Sequence, residues 1–126
     1  MRLFVAGTAT AALLALATPV PLLWAHARLT RADPAPNGHT AVVPTRLRLW
    51  FSESPEIAFT QVTLSDSARH AIKLGKVERG DTKLEVRAAV AGALHPGRYT
   101  VNWRTAAADG HPTSGAFTFT IDTRPK

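Results

Sequence analysis

From Arg46 to Asp122 the chain repeatedly alternates apolar and polar residues one for one, and that period of two constrains the fold more than any other feature. Leu47, Leu49 and Phe51 alternate with Arg46, Arg48 and Trp50. Val62 and Leu64 alternate with Gln61, Thr63 and Ser65, and Tyr99, Val101 and Trp103 with Thr100, Asn102 and Arg104. Phe117, Phe119 and Ile121 alternate with Thr118, Thr120 and Asp122. Successive side chains of a strand point to opposite faces, so each run is a half-buried strand with one apolar side. Shorter candidates span residues 71–74 and 83–88, and turn chemistry sits at Pro36-Asn37-Gly38, Arg79-Gly80-Asp81 and His95-Pro96-Gly97. The alanine-rich stretch from Val86 to Leu94 also suits a helical turn; Gly92 and Pro96 would cut a helix short, which favours strand followed by loop. About seven strands at this spacing predict an all-β antiparallel sandwich or barrel.

The front of the chain is of another kind. Met1-Arg2 is a short positive start, and residues 3–16 are an almost uninterrupted apolar run, broken afterwards by Thr18, Pro19 and Pro21. That pattern predicts a secretory signal peptide ending at Ala25 or Ala27 rather than a membrane span, with the remainder of the chain as one domain. Two cleavage points fit the small-residue rule. A cut after Ala25 leaves His26 first, whereas a cut after Ala27, at the A-x-A pattern Ala25-His26-Ala27, discards it.

About 100 residues then remain, enough for one core and too few for two. Removing Arg2 from the 15 Lys and Arg leaves 14 against 9 Asp and Glu, so the processed chain carries about +5. Its cations are scattered, with neither a dense run nor interleaved aromatics, which argues against a nucleic-acid partner and leaves open a weaker attraction to an anionic membrane face or acidic partner. There is no cysteine, so the apolar core holds the fold without disulfides and thiolate metal sites are excluded. The one methionine is Met1. Any metal on the processed chain must therefore use imidazole, carboxylate or amine rather than the soft sulfur that favours Cu(I).

Of the five histidines, His39 follows a turn, His70 lies in a polar stretch and His95 in a Pro-Gly loop, all three readable as solvated surface. Asp109-Gly110-His111-Pro112 differs, because it joins two well-patterned strands and offers a carboxylate and an imidazole at i and i+2. In extended backbone those side chains project to one side, and Pro112 biases His111 toward such angles. The bland alternative is a hairpin turn with His111 exposed beside it. A first-residue His26 would add a free amine and a ring nitrogen from one residue. Three nitrogens and one oxygen suit tetragonal Cu(II), the divalent ion such sites bind most tightly; Zn(II) takes the same ligands in a tetrahedral arrangement.

Residues in five segments then point to one family. His26-Ala27-Arg28-Leu29, residues 33–38 (DPAPNG), residues 47–53 (LRLWFSE), residues 96–104 (PGRYTVNWR), and Asp109-Gly110-His111-Pro112 with Ser114-Gly115 follow one another in order, so that the chain resembles the periplasmic copper resistance and homeostasis proteins of the CopC (YobA) family over nearly its whole processed length. The resemblance implies a seven-stranded, immunoglobulin-like Greek-key sandwich or barrel. It also implies one Cu(II) held by the terminal amine and imidazole of His26 with Asp109 and His111, cleavage after Ala25, and Glu53 as an outer acceptor orienting a ligand. An inner-membrane permease of the CopD type is the implied partner. Some relatives carry a methionine-rich Cu(I) segment that this chain lacks, which makes it similar to the Cu(II)-only kind.

The leading expectation is thus a periplasmic copper carrier or buffer that is not an enzyme. The histidine brace of oxidative copper enzymes shares the coordination, but an Asp ligand opposes redox cycling and no polysaccharide-binding aromatic surface is evident. A metal-free immunoglobulin-like interaction module is the third reading.

Overall fold

The alternating runs become strands where the period of two places them, in a computed structural model that describes residues 26–123; the expected signal over residues 1–25 lies outside the described residues. In chain order the strands are β1 Leu29–Asp33, β2 Gly38–Thr40, β3 Arg46–Phe51, β4 Gln61–Asp66, β5 Ala71–Ile72, β6 Glu78–Arg79, β7 Glu85–Ala89, β8 Gly97–Ala106 and β9 Pro112–Ile121. They form two sheets, β1-β3-β7-β6 and β2-β9-β8-β4-β5, so the architecture is a sandwich. Nine strands stand among the described residues in place of about seven, because β2 and β6 are only two or three residues long and β1 has no alternating pattern, whereas β5 falls in the 71–74 candidate. The expectation of purely antiparallel pairing is corrected at β2, which runs parallel to β9 with Gly38 opposite Phe119 and Thr40 opposite Ile121. Its direction is set by the Pro36-Asn37 turn, where the Asn37 amide donates to the Thr118 carbonyl at 2.7 Å and Gly38 closes back on Ala35 at 2.9 Å. The ambiguous Val86–Leu94 stretch is strand through Ala89 and loop beyond.

The apolar half of each run faces the space between the sheets. Leu47, Leu49, Phe51, Val86 and Ala88 from one sheet meet Leu64, Tyr99, Val101, Trp103, Phe117, Phe119 and Ile121 from the other, all buried. Each large side chain so buried contributes about 1.5–3 kcal/mol, which lets the fold stand without disulfides. Phe51 meets Trp103 edge-on across the sandwich at 5.2 Å, and Tyr99 stacks on Phe119 at 5.5 Å. Gly115, opposite Trp103 in the β8–β9 register, has a conformation-independent reason to be glycine: a Cβ there would lie 2.6 Å from the indole ring.

β8 and β9 make a hairpin of ten registered pairs that ends at Ala106 opposite Pro112. Residues 107–111 close it. β1 pairs with β3 so that Leu29 sits opposite Phe51, which leaves residues 26–28 beyond that pair at one end of the sandwich. The same end receives the hairpin loop.

Candidate metal centre

The loop is folded by its own short-range bonds. The Gly110 N–H donates to the Ala107 carbonyl at 2.9 Å, and Gly110 takes φ +78°, the left-handed region that glycine enters without steric cost. Asp109 Oδ1 then accepts from the His111 backbone N–H at 3.2 Å, while Asp109 Oδ2 lies 3.2 Å from His111 Nδ1. Asp109 and His111 thus lie side by side, but for a different reason from the one the spacing suggested. The backbone turns at Gly110 instead of running extended, and the carboxylate folds over the turn to meet the imidazole.

His26 is brought to this loop by the chain that follows it. Ala27 is only 1% exposed and packs in the core. Thr113, at the start of β9, donates its hydroxyl to the Ala27 carbonyl at 2.8 Å. On the other side the Arg28 N–H donates to Ser52 Oγ at 2.9 Å, and the Ser52 N–H donates to the Arg28 carbonyl at 2.8 Å. His26 is therefore clamped between the end of β3 and the start of β9. Its Nε2 stands 4.0 Å from Asp109 Oδ2, and its ring is 5.3 Å from that of His111, tilted by 59°.

One donor atom each from His26, Asp109 and His111 can be chosen so that all lie within 4.8 Å of one another. Metal–donor bonds of about 2.0–2.2 Å set neighbouring donors roughly 3–4 Å apart, so a common ion would draw these donors in from the 4.8 Å within which they lie. Partial burial acts to raise the Asp109 pKa. The hydrogen bonds from the His111 ring and backbone N–H, with the nearby His111 and His26 rings, outweigh it and hold the carboxyl below its ordinary value. The acid thus stays ionised and ready to ligate. The His111 side chain is 68% exposed, which opens the centre to solvent on that side.

Glu53 is exposed one residue beyond Ser52 and stands outside this group of three. The residues that sequence reasoning missed are Ser52 and Thr113, the hydroxyls that fix the terminal segment; neither has a period or spacing that marks it. His39 and His70 are surface residues with one carboxylate each: His39 Nδ1 lies 2.8 Å from Asp122 Oδ1, and His70 Nδ1 3.4 Å from Asp66 Oδ2. His95 is exposed, and its backbone N–H and carbonyl are both bonded to the Tyr99 hydroxyl, at 2.8 and 2.7 Å.

Comparisons with known proteins bear on the family of the chain. The family model described as the CopC domain matches residues 29–122, a span that includes Asp109 and His111 and opens three residues after His26. Protein YobA of Escherichia coli K12 is 33% identical over 111 residues, covering 87% of this chain and 90% of YobA. Copper resistance protein C of Pseudomonas syringae pv. tomato is 30% identical over 107 residues, 79% of this chain and 83% of that protein. Among solved structures, CopC from Methylosinus trichosporium OB3b superposes with TM-score 0.71 at 26% identity, over 80% of this chain and 98% of that one. PcoC, a methionine-rich copper resistance protein from Escherichia coli, gives TM-score 0.70 at 28% identity, over 78% and 100%. With the family model spanning most of the sequence and the sandwich shared with its solved relatives, this chain belongs to the CopC family.

Proposed function

We propose that the chain is exported, cut after Ala25, and that residues 26–126 form a periplasmic domain that binds one Cu(II) and sequesters or carries it for copper homeostasis or resistance, without chemical turnover. The observation that carries this reading is the convergence of donor atoms from His26, Asp109 and His111 within 4.8 Å, on a residue that signal cleavage would turn into the amino terminus. Cleavage changes the His26 nitrogen from a peptide amide into an amine, and amine and Nδ1 of one histidine close a six-membered chelate ring with the metal. Because Nε2 is the His26 atom nearest Asp109 before binding, the ring turns as the chelate forms. Copper, rather than zinc, follows from the Irving–Williams preference of such N/O donors and from the copper named in the relatives. Loss of Met1 with the signal leaves no sulfur ligand, which favours a Cu(II)-only site over the methionine-rich character named for PcoC. Within the same proposal, Glu53 is the outer acceptor orienting a ligand and a CopD-type inner-membrane permease is the partner.

Titration of Cu(II) into protein with an authentic His26 terminus gives tight one-to-one binding on this reading, and an added N-terminal methionine weakens it severely. Unchanged affinity in the extended protein would overturn the terminal chelate. The intact mass of the exported protein reports the cut directly: a chain beginning at Arg28 removes His26 from the site.

A further inference from the structure

The two outer faces of the sandwich treat their arginines differently. On the four-stranded sheet, Arg48 donates to Glu85 at 2.6 Å and lies 3.4 Å from Asp81, Arg87 lies 3.6 Å from Asp81, and the Arg31 and Arg48 guanidinium groups stack on Trp50. Arg48 and Arg87 on that face are thus paired with carboxylates, while Arg31 rests on Trp50 and Arg46 has no ion-pair partner among the described residues. On the five-stranded sheet the outward positions of the three central strands register as Ser65, Thr100 and Thr118 in one row and Thr63, Asn102 and Ala116 in the next, bracketed by Arg98 on one side and Arg104 on the other. No aspartate or glutamate stands among these outward positions. Arg69, Arg98 and Arg104 have no ion-pair partner among the described residues, and Arg69 and Arg98 line one shallow groove with Ser65, Asp66, Thr100 and Thr118. The carboxylates at the rim are engaged: Asp66 accepts from the Ala68 and His70 backbone N–H groups at 2.9 and 2.8 Å, and Asp122 is paired with His39.

We propose that this face docks the protein on an anionic phospholipid surface. Arg98 and Arg104 are six residues apart on one strand, roughly 20 Å at the strand rise, too far to share one small anion and well placed for an array of phosphodiester headgroups. The face between them offers hydroxyl and amide groups and, among large side chains, nothing apolar, whereas protein interfaces carry an apolar or aromatic centre. Contact is therefore peripheral and electrostatic, aided over distance by the chain's net charge of +6, or about +5 once processed. β8 runs along the docked face into the loop that carries Asp109 and His111, so the metal centre lies at the edge of the contact with His111 still exposed.

Co-sedimentation of the processed chain with vesicles of phosphatidylglycerol and phosphatidylcholine, against phosphatidylcholine alone, tests this. Binding to the anionic vesicles is expected, with loss near about 1 M NaCl, where the screening length falls to roughly 3 Å. Arg98→Gln with Arg104→Gln weakens it about 25-fold, at roughly fivefold per arginine. Arg46→Gln with Lys83→Gln, of equal charge change elsewhere, leaves most of it, and His111→Ala keeps it in full, so failure here is separable from failure of the copper reading. Equal binding to phosphatidylcholine, equal loss in both double variants, or displacement by inorganic phosphate at matched ionic strength would each overturn the proposal. So would absence of vesicle binding, including the case in which polyglutamate binds through Arg98 and Arg104 and the face is a protein-docking one.

Discussion

The two ends of β9 each present a histidine beside an aspartate, and the comparison separates a filled pair from a centre with room for an ion. At the far end His39 and Asp122 meet at 2.8 Å, the shortest of the histidine–carboxylate contacts among the described residues, and no third donor joins them. At the near end the separations are longer, 3.2 Å from His111 to Asp109 and 4.0 Å from His26 to Asp109, but three side chains converge from two segments more than 80 residues apart in sequence. A short contact between two groups satisfies both; longer contacts among three leave the distances that metal bonds need. The near end is also held from outside, by the Thr113 hydroxyl and Ser52, whereas His39 and Asp122 ride on backbone alone.

The sharpest way to break this contrast is to remove one histidine at each end. His111→Ala is expected to lower Cu(II) affinity by more than about 100-fold, beyond what loss of an outer contact does, and His39→Ala to leave it unchanged, in competition titrations against a chelator of known affinity. Parallel losses would show that the two ends are not different in kind.

Thr113→Val tests whether the outside support matters. It leaves the Ala27 carbonyl without its hydroxyl donor at a cost of about 1–3 kcal/mol and lets the terminal segment drift from the loop. Copper affinity falls about tenfold with His26, Asp109 and His111 all present. If affinity holds while melting temperature drops, the hydroxyl braces the fold and not the centre.

Why these supports were invisible in the sequence is a matter of range. Period two reports which side of a strand is buried, and it placed Leu47, Leu49, Phe51, Val101, Phe119 and Ile121 in the core, where all are at most 2% exposed. It has no purchase on β2 and β6, which are only two or three residues long, or on β1, whose Leu-Thr-Arg-Ala-Asp does not alternate, which is why these strands and the parallel pairing went unread. Asp109 and His111 were legible because they are two residues apart, although a left-handed Gly110 rather than extended backbone brings them together. His26 came from family resemblance, and its approach depends on Ser52 and Thr113, whose partners are 24 and 86 residues away. Gly115 was noted only as part of a motif; its reason, the Trp103 ring 2.6 Å from where a Cβ would sit, appears once β8 and β9 are in register.

Acid probes the same contrast without altering the chain. The Asp109 carboxyl is depressed in the folded metal-free protein, so its contribution to stability is full above the unfolded carboxyl value, about 3.9, and is lost as pH falls through the lower folded value. Wild type and Asp109→Asn should therefore differ in chemical denaturation above pH ~4 and converge in stronger acid. A constant difference down to the lowest pH would assign the effect to packing rather than to the ionised carboxylate.

The smallest effect belongs to the tightest contact. Both members of the far pair are solvent-exposed, the His39 side chain at 66% and Asp122 at 46%, and exposed ion pairs are weakened by water, salt and the ordering of two side chains. Asp122→Asn is expected to change stability by no more than about 0.5 kcal/mol, a melting shift of roughly 2–4 °C in a domain of this size. β2 keeps its backbone bonds to β9 in that variant, including the Asp122 N–H to the Thr40 carbonyl at 2.9 Å, which does not involve the carboxylate. A loss well above about 1 kcal/mol would mean that the pair pins the parallel strand to the sheet, and that contact length, not the number of converging donors, separates the two ends.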